Sequence, residues 1–178
     1  GLEYEHDDLH LNVLSGQHRD YSLNSPYIGN PTPTTFHGTA VTGIISAMGW
    51  NNFGGIGVAP GSKFAGFQFL NSPQNTAVMI HQTTGDFDIF NYSYGDFIFE
   101  DTVSDSSYLD QLRYKTITEN KVFVKAAGNE FISIGDGGLC ASHNANFPFE
   151  NESPFLIVVG AVHADGGKSS YSNAGSNL

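Results

Sequence analysis

Apolar positions along this chain recur with two different spacings, and the change of spacing marks the elements. After His37, the residues Val41, Ile44, Ile45 and Met48 return at helical intervals, predicting a helix over 37–48 that stops at Gly49. Residues 63–70 alternate apolar and small side chains with three aromatics, which predicts a strand. A shorter helical pattern covers 76–84, followed by a second strand over 87–93. Residues 104–120 read as a helix with Leu109, Leu112 and Ile117 on one face. Two further strands follow over 121–127 and 155–163, the last nearly continuous in apolar residues. Residues 15–36, with Pro26, Pro31 and Pro33, predict a surface loop, and residues 51–57 a glycine-rich turn.

Strands separated by helices, some with unbroken apolar runs, predict an α/β fold with a mainly parallel central sheet and helices on both faces. In such sheets ligands bind beyond the carboxyl ends of the strands. Two predicted strands run into polar tripeptides at that end: Ser93-Tyr94-Gly95 and Gly128-Asn129-Glu130.

Composition narrows the possibilities. The chain has 178 residues, within the size of one domain, and only 14% of them are charged, which excludes charge-driven disorder. Seven basic residues against eighteen acidic ones give a formal charge of −11. That sign repels phosphate backbones and anionic lipid, so neither nucleic acid nor a membrane surface is an expected partner. It suits basic peptides and divalent cations, and it equally serves solubility. The longest apolar run, 155–162, is too short to span a bilayer. The single cysteine, Cys140, reads as a buried or loop thiol, since nothing around it lowers a thiol pKa. The chain opens at Gly1 without an initiator Met, which predicts a processed or truncated product.

Two residues are candidates for chemistry. His37 opens a helix, where the positive dipole end disfavours imidazolium and favours a neutral base. Gly38, lacking a Cβ, lets another segment approach the ring. Taken alone, His37 reads first as a helix-start histidine held by a loop carbonyl, since a general base is established by hydrogen-bond geometry. Asn129 ends an apolar strand through Ala126-Ala127-Gly128, and a side-chain amide there can donate to a developing oxyanion. Taken alone, Gly128-Asn129 is also ordinary turn chemistry.

Together the segments say more. His37-Gly38-Thr39-Ala40-Val41-Thr42-Gly43 resembles the histidine box of the subtilisin-like serine peptidases, the subtilases. The 51–60 loop, Asn91-Tyr92-Ser93-Tyr94-Gly95, Val122 to Asn129, and Tyr171-Ser172-Asn173-Ala174-Gly175 resemble later segments in the family's order. The wording leans toward the kexin-like branch. The resemblance implies a serine endopeptidase with an Asp–His–Ser triad. His37 would be its general base and acid, and Asn129 its oxyanion donor. Ser93, Tyr94 and Gly95 would pair with an extended peptide substrate, and Ala126, Ala127 and Gly128 would form the opposite pocket wall.

The resemblance also implies that the chain is a partial catalytic domain, 1–178. The family's aspartate would stand two residues before Gly1, and its Gly-Thr-Ser nucleophile motif would follow Leu178. No Gly-Thr-Ser occurs in the sequence, so the chain by itself is expected to be inactive. The alternative is a catalytically inactive, subtilase-like peptide-binding module. Family likeness further implies secretion, an inhibitory pro-segment as partner, and a structural Ca²⁺. Its ligands would be the side chains of Asp8 and Asn51 with backbone oxygens of Met48, Phe53 and Gly55. Hard oxygen donors in a glycine-rich loop suit that ion. Ile98 and Gly135 stand where the kexin-like branch carries acidic residues, with Asp96 and Asp136 close by, so cleavage after paired basic residues is not expected.

Overall fold

The computed structural model describes residues 1–24, 26–70, 75–95, 106–131, 133–134, 140–141, 143–146 and 149–176, the side chains of 133–134 and 140–141 excepted. Two compact units make up the chain, Gly1–Val78 and Met79–Leu178.

In the first unit, a 3-10 turn at His10–Asn12 precedes strand β1 (Arg19–Asp20), helix α1 (His37–Ser46) and strand β2 (Phe67–Gln68). Strands β1 and β2 pair in parallel, Arg19 opposite Phe67 and Asp20 opposite Gln68. β1 lies inside the segment expected to be a loop. Nothing in Arg19-Asp20 alternates; the strand exists because β2, distant in sequence, supplies its hydrogen bonds. Tyr21, just beyond it, is buried with its ring edge-on to Phe67 and Phe69, each 6.2 Å away between centroids.

Helix α1 ends earlier than expected, at Ser46, because Ala47 is already extended (φ −56°, ψ 136°). The returning segment caps it. The Gly57, Val58 and Ala59 N–H groups donate to the carbonyls of Ala47, Ile44 and Ile45 at 3.0, 2.8 and 2.8 Å. These are orphan acceptors that a helix end must place somewhere. A Cβ at Gly57 would come within 2.6 Å of the Ser46 and Ala47 nitrogens, so only glycine permits this approach. The Asn12 amide ties the same region together, donating to the carbonyls of Ser46 and Pro60, each at 2.9 Å. Leu2, Leu9 and Ala47 form a buried cluster here, packed by Tyr4 and Phe64.

Helix α2 (Thr76–His81) leads into the second unit, where strands β3 (Ile89–Tyr92), β4 (Val122–Ala126) and β7 (Ile157–Val159) form a parallel sheet in the order β3-β4-β7. Helix α3 (Ser106–Glu119) connects β3 to β4, the parallel crossover that the alternating pattern predicted. A short antiparallel pair, β5 (Ser133–Ile134) with β6 (Cys140–Ala141), and a 3-10 turn at Phe149–Glu152 lie between β4 and β7. The architecture is α/β with parallel sheets and helices.

Alternation divides the sheet cleanly. Phe90, Tyr92, Phe123, Lys125 and Val158 are buried, with Phe123 stacked on Phe90 at 5.0 Å and on Tyr92 at 6.4 Å. Ile89, Val122, Ile157 and Val159 on the other parity are exposed. Helix α3 buries Tyr108 and Leu112, one turn apart, whereas Ile117 is 61% exposed. Five residues separate Leu112 from Ile117, which rotates Ile117 off the face that Tyr108 and Leu112 share. The strand over 155–163 is shorter than its apolar run, ending at Val159.

Candidate active site

His37 is the first residue of α1, with Phe36 at the N-cap and no side chain capping the helix. Its ring is exposed and has no hydrogen-bond partner among the described residues, so no loop carbonyl holds it. The chain's first residues run along this turn. The Gly1 amine donates to Thr35 Oγ1 at 3.1 Å, and the Glu3 N–H donates to Thr39 Oγ1 at 2.9 Å. A Cβ on Gly38 would overlap the Gly1 carbonyl oxygen, so the missing side chain admits the chain's own first residues beside His37.

Asn129 follows β4 in the second unit. The Ala127 N–H donates to the Val159 carbonyl at 2.9 Å, prolonging the strand pairing by one residue, and Gly128 then turns with φ +103°. That left-handed value frees the chain from the sheet, and it favours glycine. Asn129 is exposed, and its side-chain amide has no partner among the described residues. Its backbone is held firmly instead. Glu130 Oε2 accepts the Asn129 N–H at 2.7 Å and the Asn173 amide at 3.2 Å. Asn173 Oδ1 accepts the Glu130 N–H at 2.9 Å, and the Asn173 N–H donates to the Gly128 carbonyl at 3.1 Å.

Glu130 and Asn173 carry no periodicity or spacing signal that would single them out. Only their positions in the two quoted segments pointed toward them. Of the expected pocket wall, Ala126 is exposed and Ala127 is buried.

Strand β3 lies at an edge of the described three-stranded sheet and continues into Ser93, Tyr94 and Gly95. The Asn91 amide donates to Ser93 Oγ at 2.8 Å, and the Tyr94 hydroxyl donates to Gln82 Oε1 at 3.1 Å. Apart from Gly95 and its chain neighbours, no atom of the described residues lies within 4 Å of where a Cβ on Gly95 would stand. Gln82, buried in the turn after α2, was not singled out by the sequence. Ile98, Asp96, Gly135 and Asp136, the residues bearing on specificity, lie outside the described residues, as does the side chain of Cys140.

Asp8 sits inside the glycine-rich loop of the first unit. The Asn51 amide donates to its Oδ1 at 2.7 Å, the Gly55 N–H to its Oδ2 at 2.9 Å, and the Met48 N–H to its carbonyl at 2.8 Å. Asn51 Oδ1 accepts the Phe53 N–H at 3.1 Å. The loop curls through positive φ at Trp50, Asn52 and Gly54, and a Cβ on Gly54 would overlap the Asp8 carboxylate. The Asn51 donor, then that of Gly55, holds the Asp8 carboxyl below its ordinary range. The structure therefore brings together Asp8, Met48, Asn51, Phe53 and Gly55 in one loop. No group of three or more His, Cys, Asp or Glu side chains suited to a metal occurs among the described residues.

His37 and the calcium-candidate loop belong to the first unit, and Asn129 and the Ser93–Gly95 edge to the second. Comparison with known proteins supplies the wider frame. A relative, the extracellular serine protease of Aeromonas sobria, is 35% identical over 203 residues, spanning 100% of this chain and 32% of its own length. Neuroendocrine convertase 2 of Bos taurus is 39% identical over 85 residues, covering 44% of this chain and 13% of its own. The crystal structure of the Aeromonas sobria serine protease in complex with its chaperone superposes with a TM-score of 0.85 at 32% identity, over 100% of this chain and 33% of that one. A psychrophilic subtilisin-like protease from an Antarctic Pseudoalteromonas shares the fold with a TM-score of 0.67 at 22% identity, over 100% of this chain and 38% of its own. The chain thus spans about a third of the Aeromonas protease. The subtilase family profile matches residues 1–178 in full, and the chain belongs to the subtilase family.

Proposed function

We propose that this chain is part of a serine endopeptidase in which His37 and Asn129 carry the chemistry. The observation that carries the reading is the environment of His37: an exposed imidazole, unpartnered among the described residues, with the Gly1–Glu3 backbone against its helical turn. An aspartate two residues ahead of Gly1 in the longer protein would enter the fold beside this ring. His37 would take the proton from a serine supplied beyond Leu178 and return it to the leaving amine. The Asn129 amide, unpartnered among the described residues and on a backbone fixed by Glu130 and Asn173, would donate to the tetrahedral oxyanion. Ser93, Tyr94 and Gly95, continuing an edge strand, would receive an extended peptide as an added strand, between them and the wall of Ala126, Ala127 and Gly128.

The loop around Asp8 supports a structural Ca²⁺. Its buried carboxylate stays ionised, and Asn51 with the carbonyls of Met48, Phe53 and Gly55 would complete an oxygen donor set. The ion would supply rigidity to the loop, with no part in bond cleavage. The extracellular relative supports secretion of the longer protein, and the chaperone complex of its counterpart supports a chaperone or pro-segment partner. Likeness to the convertase supports kinship with the kexin-like branch.

The test is kinetic. In the intact protein, His37→Ala should abolish nearly all peptide hydrolysis while leaving peptide affinity within a few fold. Unchanged turnover would remove His37 from the mechanism. An intact wild-type protein that binds peptides without cleaving them would establish the binding-module alternative instead.

A further inference from the structure

We infer that Glu130 and Asn173 are positioning residues that set the orientation of the Asn129 amide, coupling the end of β4 to the segment that follows Lys168. The inference rests on the assignment of Asn129 as oxyanion donor, and it concerns what aims that donor.

Asn129 stands on a loop just after the sheet pairing has ended, exposed, with no side-chain hydrogen bond among the described residues. Left to itself, such a residue samples several rotamers and backbone states, and each costs alignment with an oxyanion. Four hydrogen bonds remove the backbone part of that freedom and so fix the Cα–Cβ direction from which the amide projects. Glu130 folds its carboxylate back so that one oxygen accepts both the Asn129 N–H at 2.7 Å and the Asn173 amide at 3.2 Å. Asn173 answers with its own side-chain oxygen on the Glu130 N–H at 2.9 Å and its N–H on the Gly128 carbonyl at 3.1 Å.

The two consecutive peptide units that join Gly128, Asn129 and Glu130 are thereby tied, directly or through the Glu130 carboxylate, to one buried asparagine, only 5% exposed. Asn173 is itself anchored: the Ser172 hydroxyl donates to its carbonyl at 3.3 Å and accepts the Ala161 N–H at 2.9 Å. The Lys168 ammonium donates to the carbonyls of Ser169 and Ser172 at 3.0 and 2.9 Å and lies 3.7 Å from the Phe131 ring centroid. The clamp thus has a rigid base on the far side.

The clamp acts through geometry, so an uncharged acceptor of the same length should serve. In the intact protease, Glu130→Gln should retain kcat within about twofold, and Glu130→Ala should lower it on the order of 10-fold with KM little changed. That is less than the roughly 10²–10³ expected from removing the donor itself. The decisive measurement repeats Glu130→Ala in an Asn129→Ala background, where its effect on kcat should vanish because nothing remains to be aimed. If Glu130→Ala fails to fold by thermal melting, Glu130→Asp, which withdraws the carboxylate by one methylene, takes its place in the same cycle.

Equal loss in both backgrounds, a rise in KM alone, or full activity in Glu130→Ala would overturn the inference. Asn129→Ala with unimpaired turnover, or an inactive wild type, would overturn the oxyanion assignment and this inference with it. An impaired Asn129→Ala beside an unimpaired Glu130→Ala would overturn only the clamp.

Discussion

Lys125 Nζ lies 2.6 Å from Glu150 Oε1, with both side chains buried under the β3-β4-β7 sheet. Lys125 occupies an inward position of β4, opposite Tyr92 in the β3-β4 register and two residues beyond Phe123, where the sheet pattern calls for an apolar residue. Burial, with the Glu150 carboxylate nearby, pushes the Tyr108 phenol up and keeps it neutral. Removing one partner strands a charge in the core. Glu150→Ala should therefore cost about 3–5 kcal/mol in urea unfolding, whereas the double change Lys125→Met with Glu150→Leu should cost much less. Equal losses in the two variants would show that packing, and not charge, dominates here.

Gly128→Ala should damage stability and activity together. At φ +103° a side chain is strained, and the added Cβ would overlap the Asn173 amide and come within 2.7 Å of Glu130 Oε2. Backbone strain of this kind costs about 1–3 kcal/mol, before any loss of the Asn173 contacts. A lowered Tm with the fold retained in circular dichroism is the expected result, and an unshifted Tm would contradict it.

Asp8 links stability to acid. Its carboxyl is held below its usual range in the folded state, so the unfolded chain takes up the proton first as pH falls. The stabilisation is complete above the unfolded value of about 4 and disappears as pH drops through the lower folded value. Asp8→Asn should melt below wild type at neutral pH, with the two curves converging in strong acid. If the loop binds Ca²⁺, ion at about 100 times its Kd should add roughly 2.7 kcal/mol, and a chelator should reverse the gain. Asp8→Asn should erase that response; a flat melt with and without the ion would remove the calcium assignment.

His18 gives a second pH dependence with its own window. The ring is 2% exposed against Tyr4, and Nδ1 accepts the Gly66 N–H at 2.9 Å, leaving the ring proton on Nε2. Burial pushes its pKa down, so the unfolded chain binds a proton that the folded one refuses. Its contribution is full above the unfolded value of about 6.5 and is lost as pH falls through the folded value. Wild type should thus lose Tm on descending from neutrality, before the Asp8 transition begins. His18→Gln should flatten that upper step and leave the lower one.

Much of the candidate site was legible in residue order. His37 is at the start of α1 as its apolar spacing required, and β3 and β4 end at the two polar tripeptides that the strand patterns pointed to. What escaped was whatever depended on a distant partner. β1 has no alternation of its own and exists through β2, and α1 stops at Ser46 because Gly57, Val58 and Ala59 return to take its carbonyls. The Asp8 loop was recognised as a turn with oxygen donors, but the way Asn51 and Gly55 close on one carboxylate was not visible.

The sequence by itself determined the α/β class, the order α1, β2, α2, β3, α3, β4, β7, the family, and the candidates His37 and Asn129. These follow from local spacing and from motifs, which are properties of neighbours along the chain. Only the tertiary structure decided that Gly1 lies against Gly38, that Lys125 is buried with Glu150, and that Asn129 stands on a backbone held by Asn173. Each joins residues 25 or more positions apart, where hydrogen-bond geometry and burial, not periodicity, select the partner.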